Sequence, residues 1–314
     1  MEVIKEELWF DSRDGETSLY AAVWKPDTDP VAVVQIIHGM NEYIDRYDRF
    51  ARFLAAQGFY VTGEDHLGHG RSVPEGGTFG YFTAHDPVTV LVRDIHRLKK
   101  LTQEKFPGVP YYILGHSMGS LLLRNYLQKY GTGINGALIM GTGTESKLKI
   151  FSGGALIKLL TLIKGDKYVS KKVVALTFGG YLSHIEQPGT MYDWVTGDET
   201  ELEKYVNDPL CTGFTFTLNG FGALVEMSRR MQDKKLMEQL PKKLPILILS
   251  GTEDPVGAWG RDPQELYDTY INMDMTKTAI KLYPGLRHEI LNEKERDKVF
   301  DDILHWLRQQ IHSV

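Results

Sequence analysis

Ser117 stands between two glycines in GHSMG (115–119), after the apolar run PYYILGH and before SLLLRNYLQKYG. A seryl hydroxyl is a weak nucleophile until a base takes its proton and donors receive the charge developing on the attacked carbonyl. The G-x-S-x-G pattern at a strand-to-helix turn presents such a hydroxyl, and its glycines remove side chains that would block the turn. The same position also suits a helix N-cap serine. The pentapeptide alone leaves both roles open, so the partners matter.

Of ten histidines, His288 has the placement a base needs: IKLYPGLRHEILNE sets it after an apolar strand and a Pro-Gly turn. His96 and His305 fall within helical patterns. An orienting acid is expected at the end of an earlier strand, and PILILSGTEDPVG supplies Asp254, with Glu253 as its rival. Asp254 would hold the imidazole in one tautomer and stabilise the imidazolium formed during attack. For the oxyanion, Met118 offers a backbone N–H at the helix start, and Met40 is the second expected donor, in IIHGMNEYIDRY. His38 in that loop is expected to anchor it rather than to react.

These residues need a scaffold that brings strand ends together. Apolar runs at 19–25, 31–37, 59–65, 110–116, 136–141, 245–251 and 278–284 read as strands, mostly continuous as in a sheet buried on both faces. Helical patterns alternate with them, among them YDRFARFLAAQ, DPVTVLVRDIHRLKKLTQEKF and DKVFDDILHWLRQQI. The alternation predicts an α/β fold, a mostly parallel sheet of about eight strands covered by helices on both faces. It breaks between residues 144 and 243, too long for a loop, so a helical cap is expected there, inserted into a core of 1–143 and 244–314.

The insert is polarised. Residues 144–172 hold seven lysines against Glu145 and Asp166, whereas 183–210 hold seven acids against Lys204. The stretch ALIKLLTLIKG is apolar on most of its helical faces, so it must be buried or offer itself to lipid. Leu159, Phe216 and Phe221 are the expected lining of an acyl channel.

HGMNEYIDRY, GEDHLGHGRS, GHSMGS, SGTEDPVG and YPGLRHEILNE together resemble the motif set of the monoacylglycerol lipase and lysophospholipase group of α/β-hydrolases, the serine aminopeptidase S33-like set. The resemblance runs from about residue 10 to 311 and is weak in the insert. It implies an α/β-hydrolase fold, Ser117, Asp254 and His288 as a catalytic triad, and Met40 and Met118 as oxyanion donors. It implies structural roles for Asp65, His66 and His69. A dehalogenase would need an aspartate where Ser117 stands. Asp193, Asp198, Glu199, Glu201 and Glu203 keep an iminopeptidase in view, since acidic cap residues could hold a substrate amino group. The same fold also accommodates a thioesterase, or a hydrolase-fold binding protein without catalysis.

Bulk properties narrow the class. A 314-residue chain with net charge −5 gives no sign of a nucleic-acid partner. One cysteine, Cys211, excludes an intramolecular disulfide framework. The N-terminal MEVIKEELWF has no apolar core of signal-peptide length, and no apolar run is long enough to span a bilayer. The expectation is a cytoplasmic hydrolase of small-molecule or lipid esters. It needs neither cofactor nor metal, and it touches membrane or micelle surfaces transiently through its cap. The sequence leaves its oligomeric state undetermined.

Overall fold

Along β3 (Ala32–Ile37), Val33 and Ile37 face one side of the sheet while Ala32, Val34 and Ile36 face the other, and all are buried. Strand side chains alternate between faces, so a strand apolar on both sides must be covered on both sides. A computed structural model, describing residues 3–312, shows how this is done. Its eight-stranded sheet has the order β1-β2-β4-β3-β5-β6-β7-β8. The other strands are β1 (Ile4–Asp11), β2 (Ser18–Lys25), β4 (Phe59–Glu64), β5 (Tyr111–His116), β6 (Gly136–Met140), β7 (Ile246–Gly251) and β8 (Thr278–Tyr283). From β4 onward the pairing is parallel; β1 and β2 join as an antiparallel flank.

Helices α1 (Asp48–Ala56) and α11 (Arg296–Ile311) pack on one face through Phe50, Leu54, Phe300 and Ile303. Helices α2 (Pro87–Lys105), α3 (Met118–Tyr130) and α10 (Arg261–Asn272) cover the other through Leu91, Ile95, Leu122 and Leu266. Each such aliphatic side chain contributes roughly 1.5–3 kcal/mol by leaving water.

Between β6 and β7 the described chain is helical: α4 (Lys147–Lys164), α5 (Lys171–Phe178), α6 (Glu199–Asn207), α7 (Pro209–Thr212), α8 (Leu218–Met231) and α9 (Lys234–Met237). Of the two fates open to the apolar helix, the structure shows exposure. Only Ile157 of α4 is buried, while Leu148, Phe151, Leu159, Leu162 and Ile163 face outward. Among the described residues no helix is long and apolar enough to cross a membrane.

The core also buries acids. Glu64 accepts from Gln35 Nε2 at 3.3 Å and its other oxygen has no hydrogen-bond partner; burial pushes its pKa up to about 8. Asp94, bound by Ser12 Oγ at 2.7 Å, is raised to about 7, again by burial. Ordinary unfolded carboxyls titrate near 4, so from there to pH 7–8 the folded state holds more protons than the unfolded one. Stability therefore falls as pH rises through that window. Glu64→Gln removes the buried charge, and is expected to raise the melting temperature at pH 8 by on the order of 5–10 °C. At pH 5 it should change little. Thermal melts at both pH values check this, and an equal shift at each would refute it.

Candidate active site

β5 ends at His116 and α3 starts at Met118, so Ser117 alone makes the turn, with φ 54° and ψ −123°. Such backbone costs a non-glycine residue about 1–3 kcal/mol and persists only where the surroundings enforce it. They do so here: the Ser117 N–H donates to Met140 O at 3.0 Å, and Ser120 Oγ donates to Ser117 O at 2.6 Å. A Cβ on Gly119 would collide with the Ile37 carbonyl, and one on Gly115 with the Gly119 carbonyl. A capping serine needs extended backbone. Ser117 lacks it and makes no capping hydrogen bond, so the helix-cap role is not built.

His288 and Asp254 arrive from the loops after β8 and β7. Both are buried, and His288 Nδ1 lies 2.9 Å from Asp254 Oδ1. The Val256 N–H donates to the same oxygen at 2.9 Å, fixing the carboxylate. Glu253 is exposed, and its N–H donates to Leu286 O. The His288 ring lies 4.7 Å from that of His116, the residue before the serine. The Asp–His half of the arrangement is thus formed. A bond from Ser117 Oγ to His288 Nε2 is not among the hydrogen bonds of the described residues, a gap common before substrate binds.

Gly39 brings the loop after β3 against the serine. A Cβ there would stand 2.9 Å from Ser117 Cβ and 2.6 Å from Glu42 Oε1. Met40 follows in that turn, and the Met118 N–H, in the first turn of α3, has no intrahelical acceptor. His38 holds the loop, with Nδ1 donating to Gly39 O at 2.8 Å and Nε2 accepting from the His66 N–H at 3.0 Å. Asp65 accepts from the Ile44 and Arg71 N–H groups, both at 2.8 Å. Burial, helped by His69, lowers His66 to about 3, and burial lowers His69 to about 4, so both are neutral supports.

Sequence reasoning missed the buried network behind these loops. Glu42 accepts from the Gly39 N–H, from Tyr47 Oη at 2.9 Å and from His116 Nδ1 at 3.0 Å. Arg46 forks onto Glu289 at 2.5 and 2.7 Å and reaches Glu42 at 3.4 Å. Burial opposes the Glu42 charge, yet the His116 hydrogen bond and charge and Arg46 together lower its pKa to about 2. Glu42 in turn holds His116 above its ordinary value against burial. The chain joins the Gly39–Met40 loop to the residue beside His288. Only the sequence neighbours of the expected site residues hinted at it.

The helical insert also grips the histidine loop. The Glu289 N–H donates to Val195 O at 2.8 Å, Arg287 Nη1 donates to Asp193 O at 2.5 Å, and the Trp194 ring lies 5.1 Å from His288. Of the expected channel residues, Leu159 is 55% exposed on α4, whereas Phe216 and Phe221 are buried with ring centroids 5.9 Å apart.

A family model described as serine aminopeptidase, S33, matches residues 28–295. The chain is 29% identical over 290 residues to a monoacylglycerol lipase of Mycolicibacterium smegmatis, covering 91% of each chain. It is 28% identical over 300 residues to human monoglyceride lipase, covering 93% of this chain and 87% of that one. Among solved structures, a thermostable carboxyl esterase from Bacillus coagulans in complex with glycerol superposes with a TM-score of 0.91 at 28% identity, covering 98% of this chain and 99% of that one.

Proposed function

The chain belongs to the serine aminopeptidase S33 family of α/β-hydrolases, and from that premise we propose that it hydrolyses carboxylic esters of lipid type, monoacylglycerols or lysophospholipids, through an acyl-enzyme. The observation that carries the reading is Ser117 on a strained turn without a capping bond, next to His116, whose ring lies 4.7 Å from that of the Asp254-bound His288. Ser117 Oγ attacks the acyl carbonyl as His288 takes its proton, and Asp254 steadies the imidazolium. The Met40 and Met118 N–H groups receive the oxyanion. His288 then protonates the departing alcohol and draws a proton from the water that releases the acid.

Residues 144–243 serve as a cap over a core of 1–143 and 244–314, and the outer face of α4 supports a lipid substrate. Leu148, Phe151, Leu159 and Leu162 are exposed there among the lysines of the same helix. A basic helix with such a face lies well at a lipid surface. The double variant Phe151→Asp, Leu162→Asp is expected to slow hydrolysis of vesicle-borne monoacylglycerol by about 10-fold or more, since each side chain forfeits roughly 1.5–3 kcal/mol of burial. Turnover of dissolved p-nitrophenyl acetate should be unchanged. Equal losses on both substrates would argue against surface docking.

An aminopeptidase draws less support from the cap acids, because three of the five are already engaged. Asp193 accepts from the Gly189 and Thr190 N–H groups, Asp198 pairs with Arg296 at 3.0 Å, and Glu201 with Arg49 at 2.8 Å. An activity screen over p-nitrophenyl esters, monoacylglycerols, lysophospholipids and proline amides tests the ester reading, and a preference for proline amides would overturn it. Fluorophosphonate labelling tests the nucleophile: an adduct on Ser117 is expected, and its absence would favour a binding protein.

A further inference from the structure

A cavity of about 340 Å³ lies between the β1–β2 turn, the middle of α2 and the end of α3, lined by Arg13, Arg93, Arg97, Lys100, His96 and Tyr130. Tyr130 ends the helix that Ser117 begins, so the cavity sits roughly a helix length, about 20 Å, from the nucleophile. Its size falls in the range of small-molecule sites.

Cations from two separate segments converge here, four of them on a lining that holds a single acid, with Asp94 also close enough to Arg13 for their charges to interact. Among the described residues Arg13, Arg93 and Lys100 form no ion pair, and Arg97 meets only the Asp11 carboxylate, at 3.9 Å. Glu104 is the one acid on the lining. A chain of net charge −5 thus gathers four cations round one hollow. Arg97 Nε is buried with no hydrogen-bond partner, and an orphaned buried donor is costly unless something accepts from it. A flat wall completes the hollow: His96 stacks on Tyr130 with ring centroids 3.9 Å apart and planes 8° from parallel. His96 Nδ1 is also 3.2 Å from Tyr126 Oη. Burial, reinforced by Lys99, Lys100, Lys129 and Arg13, lowers His96 to about 4, so the wall itself is neutral and the positive charge stays on the arginines and lysine.

We propose that this cavity is an anion site, separate from the ester-cleaving centre, that takes a small ligand bearing one or more phosphate groups. Guanidinium groups match phosphate oxygens in forked pairs, which suits the three arginines, and Lys100 adds a point charge. A solvated basic helix face would attract anions too, but weakly, without saturation and with no dependence on Arg97.

Calorimetric titration of the full chain with sodium pyrophosphate, at fixed ionic strength, tests the site. Saturable binding at one site per chain is expected, weakened about 10-fold or more in the Arg93→Gln, Arg97→Gln double variant. The variant should keep its circular dichroism and its p-nitrophenyl butyrate turnover. A parallel arm uses phosphatidylcholine vesicles with and without phosphatidic acid. Loss of phosphatidic acid-dependent binding in the variant, without pyrophosphate binding, would assign the same site to a lipid headgroup. The proposal fails if the wild type shows neither saturable pyrophosphate binding nor phosphatidic acid-dependent binding, or if the double variant matches it in both.

Discussion

Replacing Ser117 with alanine is expected to lower kcat for ester hydrolysis by about 10^5- to 10^6-fold while leaving the fold intact. What survives is the share of catalysis that oxyanion donors and substrate binding supply without a nucleophile. Glycine at the same position separates chemistry from backbone. Ser117 holds φ 54°, a region that penalises any Cβ, so Ser117→Gly should be as inactive as alanine yet more stable than wild type, by on the order of 1 kcal/mol. A helix-cap serine predicts the reverse: alanine would destabilise by about 1 kcal/mol, glycine would gain nothing, and activity would persist. Steady-state kinetics on p-nitrophenyl butyrate with thermal melts of both variants resolve the two. Activity within 10-fold of wild type in either would remove Ser117 from the proposed mechanism.

The legible parts of the molecule were those whose signal is local. Seven strands stood out as apolar runs, most of them apolar on both faces, and the serine because two glycines flank it between a strand and a helix. β1 did not, since IKEELWFD is a charged edge strand whose side chains are mostly exposed or half-exposed, so its composition resembles a terminal tail. The apolar α4 was ambiguous for a physical reason: hydrophobicity states that a surface avoids water, not what covers it. The network of Glu42, His116, Arg46 and Glu289 was the least legible. Arg46 and Glu289 are 243 residues apart, and the pair exists only because the β3 and β8 loops meet above the sheet. The contacts from residues 193–195 to the histidine loop are equally non-local, and they tie the insert to the loop that carries His288.

That framing bears on the acid. Asp254→Asn is expected to lower kcat by about 10^3- to 10^4-fold with KM within a few-fold of wild type, because in the proposed mechanism the residue acts on the imidazole and not on the substrate. Two routes lead to the loss, and the structure ranks them. In Asp254 the same oxygen, Oδ1, faces both His288 Nδ1 and the Val256 N–H. An asparagine that turned its amide nitrogen there would confront the Val256 N–H donor with another donor. The side-chain oxygen therefore stays in place, His288 keeps its proton on Nδ1, and the loss comes from the missing negative charge beside the imidazolium. Asp254→Ala removes the oxygen as well and should lose more, leaving the Val256 N–H without its acceptor. Glu253→Gln, one residue away but without contact to His288, should leave kcat within about 2-fold. Measured kcat for the three variants orders these effects. Near wild-type rates in Asp254→Asn, or an equal loss in Glu253→Gln, would move the orienting role away from Asp254.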